Sequence, residues 1–147
     1  SINKNEFVSY PVNKNKNKRK LNEILKISID TMEDMYISVF QWLPYEDTNS
    51  IEKIFPNKYD TNNFFKSSVK NTIPTSENIQ YYKLRIHFPD VNVVNSNDVQ
   101  QFIMVVGTKE KINFLNYYNY TEFGEKLVDI HNFRQHRKTY IVRKRVD

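Results

Sequence analysis

The sequence predicts an α+β fold, in which a long N-terminal amphipathic helix packs on a small, mostly antiparallel sheet and a second helix precedes the last strand. Three observations support this: helical spacing of apolar residues over 21–43, strict alternation over 81–88, and a mostly apolar run over 100–108. The chain has 147 residues, of which 39% are hydrophobic. This length suits one domain, so we expect a basic Lys/Asn-rich N-terminal arm over 1–20 and a single α+β domain over 21–147.

The long helix is predicted from a repeat of apolar positions. Their spacing alternates between four and three residues, and Pro44 follows as a stop signal. The positions are Leu21, Leu25, Ser28, Met32, Met35, Val39 and Trp42.

The remaining elements follow from capping residues and from changes of period. Ser50 and Asp60 are the caps expected for short helices over 51–55 and 61–70, and Thr121 is the cap expected for the second long helix, over 122–133. Strands are expected at 81–88 and 100–108, as antiparallel neighbours, and at 139–146, with a short edge strand within 6–12.

Composition argues against most enzyme classes. The chain has no Cys, two Gly and three His, so thiol catalysis and Gly-rich phosphate loops are excluded and no metal-site spacing is present. The carboxylates at 30, 33 and 34 and at 46 and 47 are interpreted as solvated. We therefore expect no catalytic residue, no metal and no cofactor. A third and weaker interpretation is an enzyme whose pocket is built from scattered residues.

No apolar run reaches the roughly 20 residues that a membrane helix needs. We therefore expect no membrane span in this chain. A cytoplasmic or virion location is favoured, and a removed leader or anchor is left open.

Charge is divided unevenly along the chain. Residues 1–20 hold six basic residues and one acid, and 134–147 hold six and one, whereas 21–133 hold 10 basic residues and 15 acids. Such basic ends suit a polyanion, or the acidic body of a neighbouring copy. The plainer interpretation is a solvated tail and an edge strand that charge protects from unwanted pairing. The residues predicted to contact a polyanion or an acidic partner are Lys14, Lys16, Lys18, Arg19, Lys20, Arg143, Lys144 and Arg145.

An aromatic and Asn-rich segment over 113–120 is the predicted partner-binding segment. Its aromatic residues have no regular period, and Tyr is favoured at interfaces. The predicted contacts are Phe114, Tyr117, Tyr118 and Tyr120. The alternative is that the segment tucks Phe114, Leu115 and Tyr118 onto its own core.

Together these features predict a non-enzymatic structural or assembly protein that acts through protein–protein contacts in a larger oligomer. Its partners are expected to be copies of itself or other assembly subunits, and a virion component, such as a phage-like connector or tail protein, is the most specific version. The alternative is a nucleic-acid-binding module that uses the basic N- and C-terminal segments.

Overall fold

The structure is a computed structural model, and it describes residues 7–8, 21–86, 98–130 and 133–143. These residues form eleven strands and one helix. The elements are β1 (Phe7–Val8), β2 (Leu21–Leu25), β3 (Ile27–Ile29), β4 (Met35–Trp42), β5 (Ile51–Phe55), β6 (Phe64–Phe65), β7 (Asn71–Ile73), β8 (Tyr82–Ile86), β9 (Asp98–Thr108), β10 (Tyr117–Tyr118), α1 (Tyr120–Val128) and β11 (Arg134–Arg143).

The predicted α+β class is wrong, because the protein is mostly β-sheet and the described residues contain one short helix and no long N-terminal helix. The segment predicted as that helix forms β2, β3 and β4 instead. Apart from Phe40, which is buried on the other face, its fully buried apolar residues share odd-numbered positions, which is the period of a strand. They are Leu25, Ile27, Ile29, Met35, Ile37 and Val39. Met32, which the helical stripe assigned to the core, is 74% exposed.

Several shorter elements also differ from expectation. The helix predicted over 51–55 is strand β5, and the helix predicted over 61–70 contains β6 followed by a turn. The strands expected at 81–88 and 100–108 are present as β8 and β9, but they are not neighbours, because β8 pairs with β2 whereas β9 lies between β4 and β11. The second helix is shorter than predicted, and its N-cap is Asn119, whose side chain accepts a hydrogen bond from the Glu122 backbone N–H at 2.8 Å.

The strands form three antiparallel sheets. The largest has the order β10-β5-β4-β9-β11, with β6 also paired to β4. The others have the order β1-β2-β8 and the pair β3-β7. The β4–β5 pairing contains an irregularity in register between Val39 and Phe40, where the partner residues step from Phe55 to Lys53.

One hydrophobic core joins the large sheet to the two smaller ones. It combines Leu25 and Ile27 of the smaller sheets with Ile37, Val39 and Ile103 of β4 and β9. Sheets that share one apolar core in this way have the arrangement of a β-sandwich.

A second core covers the opposite face of the large sheet. Here Phe40 of β4 contacts Phe114 and Tyr118 of the segment before α1 and Phe123 of α1, with ring centroids 5.2, 6.5 and 4.7 Å apart. The large sheet is therefore packed on both faces, and α1 with the segment preceding it forms a third layer.

Candidate partner-binding surface

Three aromatic rings stack where α1 begins. Trp42 ends β4, and Tyr120 is the first residue of α1. The Trp42 ring lies 4.6 Å from the Phe102 ring at 27°, and 4.6 Å from the Tyr120 ring at 24°. Offset stacks of this kind add roughly 0.5–1.5 kcal/mol per pair beyond the area they bury.

The strand register explains why these rings meet. Trp42 and Phe102 are direct partners across β4 and β9, so their side chains leave the same face of the sheet. That face carries Phe40 and Met104, which pack under α1. Arg137 of β11 is the partner of Met104, and it therefore projects from the same face.

The guanidinium of Arg137 lies beside the stack. Its Cζ atom is 5.4 Å from the Trp42 ring centroid and 5.8 Å from the Tyr120 centroid, both within cation–π range. Lys109 and Glu33 form an ion pair at 3.3 Å, whereas Arg137 has no carboxylate partner among the residues whose side chains the structure describes. An arginine without such a partner retains N–H donors that can bind a carboxylate or phosphate. We refer to Trp42, Phe102, Tyr120 and Arg137 as the aromatic–arginine surface.

The exposed side of α1 continues this surface. Tyr120, Gly124 and Val128 are spaced four residues apart on one helix face, and Val128 is 81% exposed. They line an open depression of about 670 Å³, together with Thr121, Glu125 and Asp129. A Cβ atom at Gly124 would meet nothing within 4 Å, so no contact within the described parts of the chain requires glycine here.

A second and larger depression lies between β5 and the segment that leads into β8. It measures about 830 Å³, and Asn57, Tyr59, Ser76 and Tyr82 are among its lining residues. Beside it, Asp60 is only 2% exposed.

The Asp60 carboxylate ties this region together. It accepts hydrogen bonds from the Thr75 N–H at 2.9 Å, the Ser76 N–H at 3.1 Å and the Tyr82 hydroxyl at 2.5 Å, and also from the Thr75 hydroxyl. Asn57 donates to the Tyr82 hydroxyl at 3.0 Å. Burial, followed by the hydrogen bond to Asp60, raises the pKa of Tyr82 above its usual range. All four donors point at one carboxylate, so this network fastens the segment before β8 to β5 and has the character of a structural site.

Two further titratable groups are shifted by burial. Burial raises the pKa of Tyr45 to about 12, and the Gln101 side-chain amide donates to its hydroxyl at 2.5 Å. Burial lowers the pKa of Lys53, whose amino group donates to the Phe114 carbonyl at 3.0 Å.

The described residues contain no cluster of three or more His, Cys, Asp or Glu that could hold a metal ion. The carboxylates that the sequence pairs at 33 and 34 have local partners, because Glu33 binds Lys109 and Asp34 accepts from the Ser67 N–H at 2.9 Å. Among the same residues, no helix has the length and apolar character that a membrane crossing requires.

The predicted partner-binding residues have different environments. Phe114 and Tyr118 are buried in the second core. Tyr117 is 50% exposed and its hydroxyl donates to Glu52 at 3.4 Å, whereas Tyr120 is 47% exposed and belongs to the aromatic stack.

Most of the predicted basic contacts lie outside the described residues. Arg143 is the last residue of β11. The others, which the structure does not describe, are Lys14, Lys16, Lys18, Arg19, Lys20, Lys144 and Arg145.

Sequence reasoning missed Trp42, Phe102 and Arg137 as surface residues. The helical spacing places Trp42 in the apolar stripe of a helix where the structure has strands, and Phe102 belongs to the mostly apolar run over 100–108. A strand over 134–143 puts Gln135 and Arg137 on one face, but residues 134–138 are all polar and show no alternation that would predict a strand there.

The family model described as Domain of unknown function (DUF4384) matches residues 19–110, more than half of the chain. The chain belongs to the DUF4384 family. The DUF4384 match runs from β2 to the end of β9, so Trp42 and Phe102 lie within it, whereas Tyr120 and Arg137 follow it. No curated protein and no solved structure matches the chain.

The family description carries no viral or assembly role, and the fold on which the virion expectation was based is wrong. The expectation of a virion component is therefore withdrawn.

Proposed function

We propose that this DUF4384 protein is a non-enzymatic binding domain that holds a partner protein through its aromatic–arginine surface. One observation carries the proposal. Arg137 is exposed beside the Trp42 and Tyr120 rings, and it has no carboxylate partner among the described residues. Trp, Tyr and Arg are the residues most enriched where interface energy concentrates.

The stack suits binding because it is held in place before a partner arrives. Trp42 has a ring neighbour on each side, and Phe102 and Tyr120 are anchored by a strand pairing and by the start of α1. Binding to side chains that are already ordered loses less conformational entropy. Arg137 adds donors that fix the orientation of a polar group on the partner.

The surroundings favour a protein over a nucleic acid. Trp42 is already stacked by Phe102 and Tyr120, so a base has only the outer rings, Tyr120 and the half-buried Phe102, on which to stack. The adjacent depression on α1 is lined by Glu125 and Asp129, whose carboxylates repel a phosphate backbone. A peptide can place apolar and charged side chains separately against such a mixed surface.

The test is selection of peptides from a random displayed library on the full chain, followed by affinity measurement with purified variants. Tyr120→Ala and Arg137→Gln remove the proposed contacts. Tyr117→Ala and Lys66→Gln are matched controls, since Tyr117 is equally exposed outside the stack and Lys66 is an exposed cation outside β11. The single Trp reports folding of each variant.

We expect selected peptides that lose about tenfold or more in affinity on Tyr120→Ala and on Arg137→Gln, and less than about twofold on the controls. Selected peptides that bind both test variants as well as the wild type would overturn the proposal. The proposal would also be overturned if no peptide were enriched and a single-stranded oligonucleotide bound instead, in a way that depends on Tyr120 and on salt. That result would support the nucleic-acid alternative.

A further inference from the structure

Strand β11 is a long edge of the large sheet. Its 10 residues pair with β9 along their whole length, and within the described part of the chain no strand pairs with its other side. An edge of this kind presents alternate backbone N–H and C=O groups that can pair with an added strand. At about 3.3 Å per residue, the edge is roughly 30 Å long.

The charge of this edge is of one sign. Residues 134–143 contain Arg134, Arg137, Lys138 and Arg143, and they contain no Asp or Glu. Pairing between two copies of β11 would place like charges opposite one another, which destabilises a strand pair. A strand that carries Asp or Glu would instead place opposite charges across the new pairing.

Arg137 connects this edge to the aromatic–arginine surface. It belongs to β11, and its guanidinium lies beside Trp42 and Tyr120. A strand added along β11 would therefore lie next to the proposed binding surface, with alternate side chains on the α1 side of the sheet. One extended segment can thus use the backbone edge and the arginine together.

We propose that the partner protein contributes an acidic extended segment, which adds to β11 as a further strand and places a carboxylate on Arg137. This inference rests on the proposed function and names the partner's chemistry. Main-chain hydrogen bonds supply affinity in this mode of recognition, and the alternation of side chains supplies specificity.

Fluorescence anisotropy with the full chain tests the inference directly. The probe is a labelled peptide that matches the 10 residues of β11 in length and alternates Glu with Val or Thr. A second peptide carries Lys for every Glu. Two further versions of the acidic peptide are N-methylated at every other backbone amide. One version carries the methyl groups on the odd-numbered amides and the other on the even-numbered amides.

We expect the acidic peptide to bind at least about tenfold more tightly than the Lys peptide, with affinity falling as salt rises from about 50 to about 300 mM. One N-methylated version should lose binding and the other should retain it, because only alternate amides of an added strand point to β11. Arg137→Gln should weaken binding of the acidic peptide, whereas Lys66→Gln, at an exposed site outside β11, should not.

Equal binding of both N-methylated versions, or of the acidic and Lys peptides, would overturn strand addition. The same is true if the acidic peptide does not bind. If strand addition is overturned but library-selected peptides still need Tyr120 for binding, the proposed function stands. If those peptides bind without Tyr120, the proposed function fails as well. If an oligonucleotide binds more tightly than the acidic peptide, and Arg137→Gln abolishes that binding, the β11 edge would be assigned to nucleic acid instead.

Discussion

Replacement of Asp60 by Asn should destabilise the protein by about 3 kcal/mol. The carboxylate receives two donors on each oxygen: the Thr75 hydroxyl and the Ser76 N–H on Oδ1, and the Thr75 N–H and the Tyr82 hydroxyl on Oδ2. An amide offers one oxygen only, so its NH2 group must face one of the two backbone N–H groups. Leaving a buried donor unsatisfied costs roughly 1–3 kcal/mol, and loss of the charge weakens the bonds that remain.

Urea unfolding followed by the fluorescence of Trp42, the single tryptophan, measures this change. A domain of ordinary stability, roughly 5–15 kcal/mol, stays folded after such a loss, so the variant can be compared directly with the wild type. Asp47→Asn, at an exposed turn position, is the control and should change stability by less than about 0.5 kcal/mol.

A double-mutant cycle with Tyr82→Phe separates this network from a general effect of burial. Because Tyr82 donates to Asp60 at 2.5 Å, the two substitutions together should destabilise by less than the sum of their separate effects, by about 0.5 kcal/mol or more. Additive losses, or an Asp60→Asn variant as stable as the control, would refute the view that this carboxylate fastens the segment before β8 to β5.

Three further outcomes follow from packing, helix propensity and ionisation. Phe40→Ala should lower the free energy of unfolding in urea by about 3–5 kcal/mol, because the Phe40 ring joins the large sheet to α1. Val128→Ala, on the exposed side of α1, should lower it by less than about 0.5 kcal/mol. Equal losses in the two variants would argue against α1 as a third layer. Gly124→Ala should raise the thermal midpoint and add about 0.5–1 kcal/mol, because a Cβ there meets nothing within 4 Å, and a loss of stability would show a contact that the fold does not contain. Burial holds the pKa of Tyr45 at about 12 instead of 10.0, so the folded phenol keeps a proton that the unfolded chain has lost, and stability should fall as pH rises from about 10 to about 12. Denaturant unfolding at both ends of that pH window should show a smaller fall in Tyr45→Phe, and an unchanged fall would assign the loss elsewhere.

Two strands of the second half were visible in the sequence, one from alternation and one from a continuous apolar run. Residues 81–88 alternate cleanly and 100–108 are mostly apolar, and both regions contain strands. Their pairing was not predictable, since partners for β8 and β9 are β2, β4 and β11, which are distant in sequence. Register between distant strands is set by packing of whole faces, which local pattern does not contain.

The first half was misread because two periods coexist in it. Residues 21–43 satisfy a four-and-three spacing, yet their buried apolar residues other than Phe40 also alternate, and Ile and Val favour strands. Tertiary pairing with β5, β7 and β9 decides in favour of strands. A polar Ser28 in the proposed helical stripe, and alternation through Ile27, Ile29, Ile37 and Val39, were the local signs of the alternative.

The candidate surface was only partly predictable for the same reason. Tyr120 was identified from composition, but Trp42 and Arg137 meet it only because β4 and β11 flank β9 in one sheet. Two of the four predicted aromatic contacts, Phe114 and Tyr118, fill the core instead of the surface. An aromatic residue in a loop has no sequence mark that distinguishes these two fates, because both bury its apolar ring.

The side-chain resonance of Trp42 offers the most direct measurement on the aromatic–arginine surface. A single tryptophan gives one indole N–H signal, and that ring lies between Phe102 and Tyr120, beside Arg137. Titration of the ¹⁵N-labelled full chain with a library-selected peptide should shift this signal to saturation in the wild type and in Tyr117→Ala, but not in Tyr120→Ala at the same peptide concentration. An indole signal that stays in place while the peptide saturates the protein would show that binding occurs elsewhere.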